Sequence, residues 1–315
     1  MPEIALVAQF LEKVYQIPIQ LIEALPPILD WRGVFRVQDT RGGIWLLRIL
    51  HGPQAASSLG QTANVLNFLA AQRYPAPRTR LTKRQLPIGR LRGWASLLLS
   101  YLEGDVLDVD SPDFEGLGQT LGQLHSIPQQ VNLPSSRFHL NLLQGIVVPH
   151  LAHARQIPTV FQPLLSDLQK SLAAFMTMQA EAQLVHGDCW YRNAIKTPSG
   201  QVTLIDWDCA GSGSPVIDLG YLLLTSHYDL RCPLQVNPDP KKIRAILRGY
   251  QQAHVVSQET LDGLINAMQT TLAFQLSEYL TAYPNPQADD LFLQKLKVRF
   301  EATNEIAEIA HAFEV

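Results

Sequence analysis

The segment 184–208 constrains the fold of this chain more than any other. It begins with Leu-Val-His-Gly-Asp-Cys-Trp-Tyr-Arg-Asn and ends with Leu-Ile-Asp-Trp-Asp. Between these motifs, a Thr-Pro-Ser-Gly turn precedes the run Gln-Val-Thr-Leu-Ile, which is typical of a strand. The segment therefore predicts a loop, a strand, a turn and a second strand. Such a hairpin brings Asn193 and Asp206 close together, because one begins the first strand and the other follows the second.

Three oxygen-bearing side chains converge in this predicted hairpin, those of Asp188, Asn193 and Asp206, and Asp208 is a further candidate. Such a set suits Mg²⁺, which prefers oxygen ligands and usually binds through one or two carboxylates together with substrate phosphates. Asp188 does not need to bind the metal. Its carboxylate can instead accept the proton of a substrate hydroxyl group, so we expect a metal site beside a general base.

Composition narrows the class of protein. The 315 residues suffice for two modest domains or one large one, and a hydrophobic content of 46% supports a full core. A net charge of −3 carries no sign of nucleic-acid binding. No run approaches the roughly 20 apolar residues of a membrane span. The cysteines are few and form no C-x-x-C pair, which is typical of reduced thiols, so we expect a cytoplasmic protein.

The two motifs of the segment resemble the His-Gly-Asp-x-x-x-x-Asn and Ile-Asp-x-Asp motifs of the aminoglycoside phosphotransferase and choline kinase superfamily. These are small-molecule kinases with a protein-kinase-like fold. The resemblance implies that Asp188 is the catalytic base and that Asn193 belongs to the catalytic loop. It also implies Mg²⁺ ligands at Asn193 and Asp206, with Asp208 as a third, and a buried His186 that organises the loop.

The fold implied is α+β and bilobal, with a small antiparallel-sheet N-lobe that binds the nucleotide and a mainly helical C-lobe. We place the N-lobe at residues 1–102 and the C-lobe at 103–315. Strands are predicted at 33–38, 44–50 and 94–102. The last strand resembles the kinase hinge, whose backbone contacts the adenine, and the residues concerned are Ser100, Tyr101 and Leu102.

Arg48 falls where the superfamily has a Lys or Arg that grips the ATP phosphates, and the alternative is a solvated arginine on an edge strand. Asp206 contributes to the same nucleotide site through its metal. The expected glycine-rich loop is reduced to Trp31-Arg32-Gly33, of which Gly33 is the only glycine. The predicted helix 61–72 should carry a glutamate that pairs with Arg48, but no acidic residue occurs between positions 41 and 102. Gln61 or Thr62 occupies that position.

The C-lobe is predicted to contain helices at 114–126, 167–181 and around Asp218, followed by three helices at 241–256, 258–283 and 288–313. The run Pro215-Val216-Ile217-Asp218-Leu219 resembles the superfamily's Pro-x-x-Asp-Leu helix, which implies that Asp218 caps its helix and braces the catalytic loop. His125 is interpreted as an ordinary core or capping histidine. Candidate acceptor-pocket residues are Tyr228, Asp229, Glu278, Tyr279, Asp289 and Asp290. In the catalytic loop, Trp190 and Tyr191 either wall the acceptor site or pack the loop, and Arg192 is either a phosphate contact or an exposed arginine.

The predicted function is Mg²⁺-dependent transfer of the ATP γ-phosphate to a hydroxyl of a small-molecule acceptor. Aminoglycoside, choline-like amine, amino alcohol and sugar acceptors all remain open. One alternative is a nucleotide-binding pseudokinase or regulatory module without turnover, which the missing helix glutamate favours. A second is a serine/threonine protein kinase, which the short link between Asp208 and Pro215 disfavours because it leaves no peptide-docking loop. Neither a nucleic-acid nor a membrane partner is expected.

Overall fold

The computed structural model of the chain describes residues 3–25, 33–128, 133–154, 157–178 and 182–313. Two compact units are present. The first comprises Met1–Gly104 together with Ile205–Asp208, and the second comprises Asp105–Leu204 and Cys209–Val315. The first unit thus ends two residues beyond the predicted boundary. It also contains Ile205–Asp208, because Asp208 binds Arg48 and Trp207 packs edge-on against Tyr74.

The first unit consists of an antiparallel sheet with helices. Its elements are α1 (Ile4–Gln9), a π-helix (Phe10–Tyr15), β1 (Ile19–Ala24), β2 (Val34–Asp39), β3 (Ile44–His51), α2 (Ala55–Ala71), β4 (Thr79–Arg80), β5 (Ile88–Leu91) and β6 (Trp94–Ser100). The strands pair in the order β1-β2-β3-β6-β4, and β5 also pairs with β6. All the pairings are antiparallel, so the predicted sheet type is confirmed.

Alternation of apolar residues builds the core of this unit. Phe35 and Val37 project from β2 onto the buried face and meet Leu47 of β3 and Phe10 of the π-helix. At the start of this unit, α1 continues directly into the six-residue π-helix, and Val7 and Phe10 are fully buried whereas Ile4 is 63% exposed.

The second unit is mainly helical. Its helices are α3 (Phe114–His125), α4 (Leu140–Leu142), α5 (Val148–Ala152), α6 (Gln162–Thr177), α7 (Pro215–Thr225), α8 (Pro240–Gln251), α9 (Gln258–Ala282) and α10 (Leu291–His311). Its strands are β7 (Asp105–Val106), β8 (Gln183–Val185), β9 (Ala194–Lys196), β10 (Val202–Leu204) and β11 (Gly211–Gly213). The predicted α+β class is therefore confirmed. In the described ranges, no helix is long and apolar enough to cross a membrane.

The predicted hairpin is present as β9 and β10. Ala194 pairs with Leu204 and Lys196 with Val202, and β7 adds a third strand on β9. A short 3₁₀ turn, Tyr191–Asn193, precedes β9, and β8 leads into the loop that carries Asp188. The loop that carries Asp188 and Asn193 therefore runs from β8, which pairs with β11, to β9 of the hairpin.

Candidate active site

The loop that carries Asp188 is anchored by hydrogen bonds to the side chain of Asp218. The Asp218 carboxylate is fully buried and accepts hydrogen bonds from the backbone N–H groups of His186 at 2.6 Å and Gly187 at 2.9 Å. The predicted bracing role is thus confirmed. The predicted capping role is wrong, because Ser214 occupies the N-cap of α7 and Asp218 lies within the first turn with its side chain directed at the loop.

His186 and Gly187 shape the loop. His186 is fully buried, as predicted, and its Nδ1 accepts the backbone N–H of Asp188 at 3.3 Å. Gly187 has a φ of +75°, and a Cβ there would lie 2.2 Å from the carbonyl oxygen of Cys209. Both the left-handed backbone and the close approach require glycine at this position.

Behind Asp218 lies a buried polar chain. His125 places Nε2 3.3 Å from Asp218 and Nδ1 2.7 Å from the Tyr250 hydroxyl. Burial raises the pKa of Tyr250 well above its ordinary value, so the phenol stays protonated. His125 therefore serves as the core histidine that its sequence context predicts.

The Asp188 carboxylate is held by three donors. Its Oδ1 accepts hydrogen bonds from the guanidinium of Arg137 and from the Tyr221 hydroxyl, each at 3.0 Å, and its Oδ2 accepts from the Asn193 amide at 2.9 Å. Burial and the neighbouring carboxylate raise the pKa of Tyr221 well above its ordinary value, so this phenol is a hydrogen-bond donor. The side chain of Asp188 remains 23% exposed, which leaves it accessible to a substrate.

Arg137 is the functional residue that sequence reasoning missed. It also donates to Glu278 at 3.2 Å, and its guanidinium lies 5.0 Å from the ring centre of Phe138 and 4.8 Å from that of Phe274. Burial alone would lower the pKa of Arg137, but the surrounding acidic groups raise it above its ordinary value, so the group stays charged. No local pattern marks this residue, since it lies in an irregular stretch before α4.

Asn193 is oriented by Asp188. Its amide nitrogen donates both to the backbone carbonyl of Asp188 at 3.0 Å and to the Asp188 side chain. The amide oxygen is the atom that remains for a ligand. Asn193 precedes Ala194 in β9, which pairs with Leu204 in β10, so Asp206 follows that pairing by two residues.

In the first unit, Arg48 is buried rather than solvated. It lies on β3, which has neighbours on both sides in the sheet, and it is 6% exposed. Its guanidinium forms a two-pronged ion pair with Asp208, with Nη1 2.5 Å from Oδ1 and Nη2 bonded to Oδ2. The alternative of a solvated arginine on an edge strand is therefore wrong.

Both oxygens of Asp208 take part in this pair. The Thr62 hydroxyl also donates to its Oδ1 at 2.9 Å, so a metal here would share the carboxylate with the Arg48 guanidinium, whose positive charge opposes a cation. Thr62 is buried on α2, whereas Gln61 is exposed. The position of the missing helix glutamate is thus Thr62, and the contact does not favour the predicted metal role of Asp208.

Asp206 has a different environment. Its φ is +61°, a left-handed conformation that non-glycine residues seldom adopt, and its side chain is 50% exposed. It lies 3.8 Å from the Arg48 guanidinium. Strained backbone of this kind is concentrated at functional sites. Asp206 therefore presents an accessible carboxylate beside the predicted phosphate-binding residue.

The remaining predicted nucleotide contacts also lie in the first unit. Gly33 has a φ of +109°, and its carbonyl accepts the N–H of Ile49 at 2.8 Å, while Trp31 and Arg32 lie outside the described residues. In the hinge segment, β6 ends at Ser100, two residues earlier than predicted. The amides of Ser100 and Tyr101 donate to Arg78 and Ile44, and within the described residues the amide of Leu102 forms no backbone hydrogen bond.

Comparison with known proteins decides the family. The model of the phosphotransferase enzyme family matches residues 25–255. This chain belongs to that family. A further relative, an uncharacterized protein of Deinococcus radiodurans, is 31% identical over 134 residues. That match covers 40% of this chain and 38% of the relative's length.

Solved structures confirm the fold of this phosphotransferase family member. An amicoumacin kinase in complex with AMP-PNP, Ca²⁺ and Ami superposes with a TM-score of 0.71 at 16% identity, covering 99% of this chain and 96% of that one. A microcompartment-associated aminopropanol kinase gives 0.69 at 16% identity, covering 96% of each chain. A choline kinase from Streptococcus pneumoniae gives 0.63 at 13% identity, covering 96% and 98%. The predicted superfamily is confirmed by the family model that matches residues 25–255, and these structures share its fold.

In this family member, the aromatic residues of the loop divide into two roles. Tyr191 is buried, donates its hydroxyl to the Tyr228 carbonyl at 2.7 Å and packs edge-on against Phe114, so it packs the loop. Trp190 is half-buried, and its indole N–H has no hydrogen-bond partner among the described residues. Arg192 is exposed.

The candidate acceptor-pocket residues have different partners in the structure. Glu278 is the one that reaches the Asp188 site, through Arg137. Asp290 caps α10 and accepts the Tyr279 hydroxyl, and Asp229 pairs with Arg231. Asp229, Tyr279 and Asp290 therefore each make a contact that explains their position without an acceptor.

Proposed function

We propose that this protein transfers the γ-phosphate of ATP to a hydroxyl group of a small molecule in a Mg²⁺-dependent reaction. The observation that carries the proposal is Asp188, an accessible carboxylate held in a buried, braced loop by Arg137, Tyr221 and Asn193. Such a carboxylate can orient an acceptor hydroxyl and take its proton. The solved relatives with bound AMP-PNP, ADP or AMP support a nucleotide donor.

Asn193 and Asp206 each carry an oxygen ligand of the kind that a hard cation prefers. The amide nitrogen of Asn193 already donates to Asp188, so its amide oxygen can face a metal, and Asp206 has an exposed carboxylate. Bound Mg²⁺ would neutralise phosphate charge. Arg48 would contact the phosphates, and the hinge amide of Leu102 would contact the base. The contribution of these protein groups is to position the reactants and to neutralise charge, which is the main source of catalysis in phosphoryl transfer.

The segment between Asp208 and Pro215 disfavours the protein-kinase alternative. Only six residues separate Asp208 from Pro215, and three of them, Gly211–Gly213, form the strand β11 on β8. A peptide-docking loop needs a longer free segment. The acceptor is therefore a small molecule, and the hydroxyl-bearing classes to test are aminoglycosides, choline-like amines, amino alcohols and sugars.

The experiment is an ATP-consumption screen of the wild-type protein across these acceptors with Mg²⁺, followed by the Asp188→Asn variant on the best acceptor. We expect kcat to fall by about 10²–10⁴-fold in the variant while ADP affinity is kept, because the carboxylate contacts the hydroxyl and not the nucleotide. Turnover like the wild type would contradict the role of Asp188. ATP binding without consumption for any acceptor would favour the pseudokinase alternative.

A further inference from the structure

A buried arginine needs a counter-charge. Arg48 lies in the sheet with 6% of its surface exposed, and an uncompensated charge there would be costly. The neighbouring helix α2 cannot supply that charge, because it contains no acidic residue and offers Thr62 at the facing position. The counter-charge must come from elsewhere in the first unit.

The carboxylate of Asp208 supplies it. The two terminal nitrogens of Arg48 each bind one oxygen of Asp208, which is the two-pronged geometry that fixes a guanidinium most firmly. The Asp208 side chain is 14% exposed, and it follows Trp207, which is 2% exposed and packs against Tyr74. The carboxylate is therefore held next to a buried residue of this unit.

Thr62 completes the arrangement. Its hydroxyl donates to Asp208 Oδ1 at 2.9 Å, while the carbonyl of Ser58 on the same helix lies 3.5 Å from that hydroxyl. The helix thus contributes a neutral donor to the carboxylate rather than a carboxylate to the arginine. Asp208 therefore makes the ion pair with Arg48 that the superfamily pattern assigns to a glutamate on this helix.

We infer that Asp208 is the positioning residue of Arg48, and that Thr62 anchors Asp208, so that the motif after β10 replaces the missing acid of α2. This rests on the proposed function, since Arg48 is held in place for a nucleotide phosphate. Asp208 then acts through Arg48 and not through a metal. Its loss should weaken nucleotide binding even when no metal is present.

The experiment measures ADP affinity by calorimetry in EDTA for the wild type, Asp208→Asn, Thr62→Val, and the double variant Asp208→Asn/Thr62→Glu. Asp208→Asn keeps the shape of the side chain and removes its charge, and we expect ADP affinity to fall about tenfold. Thr62→Val should lose about twofold to threefold, since it removes a single neutral donor. The double variant returns a carboxylate from α2, and because glutamate is longer than threonine we expect it to approach Arg48 and to regain most of the affinity.

The control is Glu23→Gln on β1, an exposed residue of the same unit, which should bind ADP like the wild type. If Asp208→Asn binds ADP normally in EDTA but needs more Mg²⁺ for turnover, Asp208 is a metal ligand and the inference is overturned. A double variant no better than the single one overturns it as well. A wild-type protein that binds no ADP overturns the proposed function and this inference with it. The variant outcomes above overturn the inference alone, so the two failures can be told apart.

Discussion

The guanidinium of Arg137 lies 3.0 Å from the Asp188 carboxylate and 3.2 Å from that of Glu278, and it bridges the two. It also lies beside the edge-on pair of Phe138 and Phe274, 5.0 Å and 4.8 Å from their ring centres. A planar, always-charged group held in this way orients a carboxylate in a way that a flexible ammonium cannot. Arg137 therefore positions the proposed catalytic base.

We predict that Arg137→Lys lowers kcat by about 10- to 100-fold, because Asp188 loses a defined orientation towards the acceptor hydroxyl. The KM for ATP should change little, since the Arg137 side chain, in the described part of the chain, contacts Asp188, Cys209, Glu278 and the two phenylalanine rings. Steady-state kinetics with the acceptor identified by the screen measure both. Glu278→Gln is the matched comparison, because it alters the far end of the bridge and leaves the Asp188 contact, so its effect on kcat should be smaller. Equal effects of both variants would contradict the positioning role.

Asp218 is expected to be essential for stability. Its buried carboxylate accepts two backbone N–H groups and faces His125, and Asp218→Asn would turn an amide N–H towards these donors. We predict a loss of about 3 kcal/mol in the free energy of unfolding. Urea denaturation followed by circular dichroism measures it. Asp262→Asn, on the exposed side of α9, is the control and should stay within about 0.5 kcal/mol of the wild type. An equally stable Asp218→Asn variant would show that the bracing is dispensable.

The hairpin and its neighbouring motifs were predictable because their signals are local. The turn residues, the β-branched run and the spacing from Asp188 to Asn193 fall within one short segment, and the structure has the strands where the pattern predicts them. The predicted burial of His186 followed from the His-Gly-Asp-x-x-x-x-Asn motif, and the bracing role of Asp218 followed from the resemblance of its own helix to the superfamily.

What sequence reasoning missed depends on residues far apart in the chain. Arg48 and Asp208 are 160 positions apart, and Arg137 and Asp188 are 51 apart, so no periodicity or turn signal connects them. Strand β1 was missed for another reason. Four of its six residues are exposed, so it lacks the alternation by which a half-buried strand is recognised.

Replacing glycine by alanine should have opposite effects on stability at two helical positions, Gly118 in α3, which packs against α8, and Gly60 in α2. A Cβ on Gly118 would lie 2.1 Å from the carbonyl oxygen of Ile246, whereas a Cβ on Gly60 in α2 would meet nothing within 4 Å. We predict that Gly118→Ala destabilises the protein by about 2–3 kcal/mol through overpacking. Gly60→Ala should stabilise it by about 0.5–1 kcal/mol by restricting the unfolded chain. Thermal and urea unfolding of the two variants measure both changes, and destabilisation by Gly60→Ala would show that α2 packs differently.

His227 predicts a loss of stability in mild acid. It is 5% exposed, its Nδ1 bonds the Leu223 carbonyl at 2.9 Å, and burial lowers its pKa to about 4. Because its pKa in the unfolded chain is about 6.5, the unfolded state binds the proton first as the pH falls. The stability that His227 contributes as a neutral group is therefore complete above about pH 6.5 and is lost progressively between about pH 6.5 and pH 4, by about 2–4 kcal/mol in all.

Urea unfolding at pH 7 and pH 5 tests this, with His227→Gln as the variant and His153→Gln, an exposed histidine on the same unit, as the control. We expect the difference in unfolding free energy between the two pH values to shrink by about 1–2 kcal/mol in His227→Gln, because glutamine binds no proton in this range. His153→Gln should keep the full difference. If the two variants lose stability equally between pH 7 and pH 5, His227 is not the residue that titrates on unfolding, and its buried neutral state is not what limits this protein in acid.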